Sequence, residues 1–340
     1  MGNTYFHKLT EVQKELLEQF GIIGNVVVLF ASLIVLIKAS SLTITNSVNL
    51  ASVTGLGKTK VGFLLVAFST SLPELFVAIF AILDPKTVGI SLGNILGSNI
   101  INICLILGIG FLIMAIKYPE SAEFFTKMAR DEVGNLNFGI FVAAIVPLLL
   151  LYLGYSSQIL GFLLVGLFVY NVYELAKKRE TVEQISDTAE KYERGKYIIK
   201  TLLGIIGVVG SSFFIIESAS FLALIVGVPP VIVGATVVAF GTSFPELVTT
   251  VDSVRKGFID LALGNVIGSC FINITLILGI TFMFAPIEVN IAAFSDLILF
   301  SLISNIVFGY IMQNSRIRIQ QGITLLLIYS IFLVVSLSPS

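Results

Sequence analysis

The chain has 340 residues, 56% of them hydrophobic and only 12% charged; soluble domains carry about 25% charge, so this balance points to a membrane protein. A net charge of −1 gives no footing for nucleic acid, and the single histidine, His7, sits in a polar N-terminal tail, which removes most zinc and general-base chemistry. Cys104 and Cys270 stand in apolar runs and read as small buried residues rather than a disulfide framework.

Residues 1–20 form a polar, amphipathic segment with no basic n-region ahead of an apolar core, so they read as a short surface helix or a plain solvated extension, and not as a signal peptide. Beyond it, stretches near 21–48, 61–83, 88–116, 136–154, 157–176, 200–225, 229–253, 258–285, 288–311 and 318–337 are apolar enough to span; about 20 residues at 1.5 Å each cross the hydrocarbon. The first span runs into SSLTITNSVNLAS, which suits packing on protein or water rather than lipid. The expectation is an all-α membrane protein of ten transmembrane helices. A first five-helix unit (21–176) and a second (200–340) are joined by a charged linker (177–199).

An odd number of spans per unit inverts the second copy. With alternating spans Lys8, Lys14 and Lys86 fall on one side, and the other seventeen of the twenty Lys and Arg on the opposite side, Lys38 lying at or inside the end of the first span. The positive-inside rule then places both termini outside and the linker in the cytoplasm of a multi-pass plasma-membrane protein.

The two units repeat each other. Residues 61–75 read VGFLLVAFSTSLPEL and 233–247 read VGATVVAFGTSFPEL; residues 93–108 read GNILGSNIINICLILG and 264–279 read GNVIGSCFINITLILG. The matches include Thr, Ser, Pro, Glu, Gly and Asn, which lipid does not select. Glu74 and Glu246 therefore stand in apolar spans, where ionisable groups are costly and functional by default. Pro73 and Pro245 precede them and cannot donate to the carbonyls of Ser69 and Gly241, which breaks the helix beside the acid. Thr70, Ser71, Thr242 and Ser243 add hydroxyls within a turn, while Ser98 with Asn102, and Ser269 with Asn273, share a helix face at four-residue spacing. All are hard oxygen donors, suited to sodium and calcium. A plain proline kink explains one copy; two inverted copies point to a midplane ion site between repeats. The glycines four apart (Gly93, Gly97, Gly264, Gly268) read as packing, and Asn94 and Asn265 as hydrogen-bonding across helices. Glu217 and Asp252, without acidic counterparts, read as structural or interfacial.

The paired G/S-T-S-x-P-E and G-N-x-x-G-S-x-x-x-N segments resemble the two alpha-repeats of the calcium/cation antiporter superfamily, in its sodium/calcium exchanger branch. The resemblance implies antiport of Ca²⁺ against Na⁺ by alternating access, with no enzymatic step, no cofactor, and a monomer in the bilayer. It implies calcium between Glu74 and Glu246, helped by the carbonyls of Thr70 and Thr242. It implies sodium at the carbonyls of Ala67 and Ala239 and the hydroxyls of Ser71, Ser98, Ser243 and Ser269, with Asn102 lining the centre. The first and sixth helices would slide over the rest. One departure stands out: family members usually carry an aspartate where this chain has Asn273. Two carboxylates just neutralise one calcium, whereas three sodium ions would leave a net positive charge in a low-dielectric cavity. Proton/calcium exchange stays open, since two buried carboxylates can take up protons as the ion leaves. A passive channel fits less well, because polar residues cluster midway along four spans between apolar flanks. An intramembrane metalloenzyme lacks its His or Asp ligands.

Overall fold

The computed structural model describes residues 20–53, 67–84, 86–118, 157–177, 190–257, 259–285, 291–313 and 317–337, with Ile145 and Leu149 as isolated helical positions. Among these residues every regular element is helical. In chain order they are α1 (Gly21–Val53), α2 (68–82, broken at Ser71), α3 (Val88–Lys117), α4 (Gln158–Lys177), α5 (Glu190–Val226), α6 (230–255, broken at Ser243), α7 (259–284), α8 (Ile291–Gln313) and α9 (Ile319–Leu337). Six of the described helices are long and apolar enough to cross a membrane, or seven with the two arms of α6 taken as one span. The expected fourth span apart from Ile145 and Leu149, residues 61–66 of the expected second span, the N-terminal tail to residue 19, and linker residues 178–189 lie outside the described residues.

Helix ends differ from the expected span ends where the chain leaves the apolar stretch. The sixth span was expected from residue 200, but α5 begins at Glu190. The segment EKYERGKYIIK is rich in good helix formers, so the helix continues past the hydrocarbon.

The proline positions behave as their chemistry requires. Ser71 (φ −82°, ψ 2°) and Ser243 (φ −83°, ψ 2°) leave the helical region with matching angles, two residues before each proline. The two arms of α6 meet at 44°. The ladder resumes with the Leu75 N–H on the Ser71 carbonyl and the Leu247 N–H on the Ser243 carbonyl, each at 3.1 Å. Among the described residues the stretches Ile101–Ile106 in α3, Gly234–Val238 in α6 and Asn273–Ile277 in α7 widen into π turns. Such turns shift side-chain register within an otherwise regular helix and are frequent at functional sites.

Burial places α3 and α7 at the centre. In their most apolar windows 67% and 83% of residues are buried, against 22% in α1 and α9, whose Ile23, Val27, Leu327 and Val334 face outward. The crossing of α3 with α6 is close because two residues have no side chain. A Cβ on Gly93 would stand 2.0 Å from the Val231 carbonyl oxygen, and one on Gly97 2.4 Å from that of Ala235. The first helix and α5 pack on each other at Gly204 and Gly207, where a Cβ would stand 2.2 Å from Thr43 Oγ1 and 2.8 Å from Ala39 Cβ. Ser40, Thr43 and Asn46 are buried, as expected of the polar end of that span. This pair rests on the core through a separate apolar cluster of Leu29, Leu33, Leu36, Ile215, Ile216 and Ala219 against Val77, Ala81 and Val238.

Candidate ion site

The breaks in α2 and α6 bring Glu74 and Glu246 into the interior, and both are fully buried. Each carboxylate uses one oxygen for protein hydrogen bonds. Glu74 Oε1 accepts from Ser98 and Ser243, both at 3.4 Å, and Glu246 Oε1 accepts from Ser269 at 3.3 Å. Ser243 comes from the second copy, so the two acidic segments meet directly.

The copies are stitched by a reciprocal pair of bonds. Thr242 donates to Asn94 Oδ1 at 2.9 Å, and Thr70 lies 3.2 Å from Asn265 Oδ1. Thr70 also faces Ser269 at 3.1 Å, and Thr242 faces Ser98 at 3.5 Å. Asn94 and Asn265 thus join helices of opposite copies, the role expected of them. The symmetry breaks one layer out. The Asn265 amide donates to Thr250 Oγ1 at 3.2 Å, but the equivalent of Thr250 is Ala78, and Asn94 Nδ2 has no partner among the described residues.

The carbonyls of Ala67 and Ala239 are engaged in this arrangement. Ala67 O accepts from the Ser71 N–H and Thr70 Oγ1, both at 3.0 Å; Ala239 O accepts from the Ser243 N–H at 2.9 Å and Thr242 Oγ1 at 3.3 Å. Ser98, Ser269 and Ser243 likewise hold carboxylates. Among the acidic, serine and asparagine residues of these segments, five buried acceptors have no donor among the described residues: Glu74 Oε2, Glu246 Oε2, Ser71 Oγ, Asn102 Oδ1 and Asn273 Oδ1. Burying an acceptor with no partner costs about 1–3 kcal/mol, more if it is charged, so a cluster of them is a place made for something positive. The oxygens are hard, and the described residues hold no group of three or more His, Cys, Asp or Glu. That donor set fits an alkali or alkaline-earth ion and not a transition metal.

Asn99 was not foreseen. Its Oδ1 accepts from Asn273 Nδ2 at 3.2 Å, across the copies. The only trace in the sequence is a mismatch, since Cys270 fills the equivalent place. Asn102 and Asn273 both lie on π turns, which spacing at four residues does not reveal. Both cysteines are buried free thiols, and Cys104 donates to Ser304 at 3.1 Å. Asp252 pairs with Lys256 at 2.7 Å on the exposed end of α6, consistent with an interfacial role.

Comparison with known proteins gives a consistent picture. The family model described as sodium/calcium exchanger protein matches residues 24–175 and 196–338. The sodium/calcium exchanger MaX1 of Methanosarcina acetivorans is 29% identical over 92% of this chain and 98% of its own. A structure of the sodium-calcium exchanger NCX_Mj, soaked with Na⁺ and Sr²⁺, superposes with a TM-score of 0.67 at 25% identity, covering 94% of this chain and all of that one. The H⁺/Ca²⁺ exchanger CAX shares the fold, with a TM-score of 0.75 at 16% identity over 98% of this chain and 89% of that one.

Proposed function

The chain belongs to the sodium/calcium exchanger family, a family of membrane transporters, and we propose that it moves Ca²⁺ against Na⁺ by alternating access. The observation that carries this reading is the set of five donor-free acceptors around Glu74 and Glu246. Calcium takes six to eight oxygens at about 2.3–2.6 Å; the two carboxylates supply its counter-charge, with the Thr70 and Thr242 carbonyls beside them. Ser71, Asn102 and Asn273 offer further oxygens. The Ala67 and Ala239 carbonyls, with the hydroxyls of Ser98, Ser243 and Ser269, become sodium ligands once the threonine and serine hydroxyls rotate away from the bonds they now make.

The same reading takes the molecule as ten spans in two inverted five-helix repeats, 21–176 and 200–340. It acts as a monomer in the plasma membrane, with external termini and a cytoplasmic linker at 177–199. In it, α1 and α5 move together across the α2, α3, α6 and α7 core. Their mutual packing at Gly204 and Gly207 and their separate apolar cluster suit a pair that slides as one body.

Proton/calcium exchange is the second reading, favoured by one observation: Asn273 offers an N–H to Asn99, so an amide fills the place of a third acid. Sealed vesicles containing the purified protein discriminate the two. Radioactive calcium uptake driven by an imposed sodium gradient at equal pH supports sodium exchange; uptake driven only by a pH gradient supports the second reading.

A further inference from the structure

The polar end of α1 borders a second polar site, open to the surface and far from the glutamates in the sequence. A cavity of about 400 Å³ opens between α1 and α5, lined from α1 by Lys38, Thr45 and Asn46 and from α5 by Lys196, Tyr197 and Lys200. That volume lies within the range of about 300–1,000 Å³ for small-ligand sites. Among the described residues no carboxylate lines it. Asn46 is buried and donates back to the Leu42 carbonyl at 2.7 Å, leaving its carboxamide fixed along the wall. Three lysine cations in one cavity repel each other unless an anion sits among them. A route for Na⁺ or Ca²⁺ would not be lined this way.

Position decides the kind of anion. Lys38 lies seventeen residues beyond Gly21, or about 26 Å along the helix, close to the roughly 30 Å thickness of the hydrocarbon. With the hydrocarbon taken to start at Gly21, Lys38 and the polar residues beyond it reach the headgroup level of one face, where lysine stems lie along apolar surface and their ammonium groups reach the phosphates. Basic pockets between transmembrane helices are suited to anionic headgroups. We propose that this cavity binds the phosphate of an anionic phospholipid and thereby ties α1 to α5. The proposal depends on these two helices spanning a bilayer and not on which ions are exchanged.

The test is thermal unfolding of the full purified chain in neutral detergent, with added phosphatidylglycerol, phosphatidylcholine or inorganic phosphate. Phosphatidylglycerol should raise the unfolding midpoint and phosphatidylcholine should not. The rise should vanish in the triple variant Lys38→Gln, Lys196→Gln, Lys200→Gln and persist in the triple Lys→Arg variant, which keeps the charge. A matching rise with inorganic phosphate would mean that the cavity recognises phosphate without its lipid, and the phosphate site would stand while the lipid source fell. A phosphatidylglycerol-induced rise undiminished in the triple Gln variant, or none in the native protein, would overturn the proposal.

Discussion

Asn273 and Asn99 face each other across the two halves of the protein, with the Asn273 side-chain N–H 3.2 Å from the Asn99 carboxamide oxygen. The bond turns the other end of Asn273, its Oδ1, into the site without a donor of its own. Asn102 occupies the equivalent place in the first half but lies beside the Cys270 thiol where Asn273 meets Asn99, and it makes no amide-to-amide bond of that kind among the described residues. The centre of the site is thus one anchored amide and one unanchored amide.

From this follows a prediction about charge. With two glutamates and no third acid, one Ca²⁺ exchanged for two Na⁺ or two H⁺ moves no net charge. Calcium flux should change little when the membrane voltage is stepped by 100 mV, a step worth about 2.3 kcal/mol per elementary charge moved. Asn273→Asp should make transport more voltage-dependent, or more pH-dependent if the new carboxyl takes up a proton. A reversal potential in the native protein that fits three sodium ions per calcium would show that Asn273 does not set the stoichiometry.

The threonine bonds should be unequal in value. Thr242→Val removes the donor to Asn94, whose amide nitrogen is already without a partner. Thr70→Val removes a bond to Asn265, which keeps its own bond to Thr250. A buried polar group left unsatisfied costs about 1–3 kcal/mol. Chemical denaturation should show the larger loss for Thr242→Val, and its apparent KM for calcium should rise further than that of Thr70→Val. Equal effects, or the reverse order, would contradict this account of the outer layer.

Gly97→Ala places a carbon 2.4 Å from the Ala235 carbonyl oxygen and 2.5 Å from its Cα. Backbone atoms cannot rotate aside, so α3 and α6 must separate, at a cost of about 1–3 kcal/mol. The unfolding midpoint should fall, and calcium flux should drop at least tenfold, because Ser98 and Thr242 sit on those two helices. Near-native flux would show that the crossing tolerates more spread than the geometry allows.

Orientation is checked by labelling. A single cysteine placed in linker 178–189, in a version lacking Cys104 and Cys270, should resist impermeant thiol reagents in intact cells and react after permeabilisation. Ready labelling in intact cells would reverse the assignment of sides.

Much of the burial and geometry of the candidate site was legible because its residues are ones that lipid does not select. Glu74, Glu246, their prolines and the serine and asparagine pairs recur at fixed offsets, and each lies where burial and helix breaks were expected. The polar end of α1 announced its protein contact in the same way. What the sequence hid are contacts that one copy makes and the other does not. Asn99 with Asn273, and Thr250 with Asn265, are partners through space whose equivalents, Cys270 and Ala78, look like neutral drift in an alignment of the halves. The π turns at Asn102 and Asn273 were hidden for another reason: widening a helix by one residue per turn leaves the apolar pattern of a fully buried segment unchanged.

The central claim is that Glu74 and Glu246 together hold the transported calcium. It is tested most directly by radioactive calcium uptake into sealed vesicles containing Glu74→Gln or Glu246→Gln, each shown to be folded by its unfolding transition. Glutamine keeps the size and an acceptor oxygen but removes the charge that balances the ion. Each single variant should lose calcium uptake by at least a hundredfold under the gradient that drives the native protein. Uptake within a few-fold of native by either variant would contradict the account.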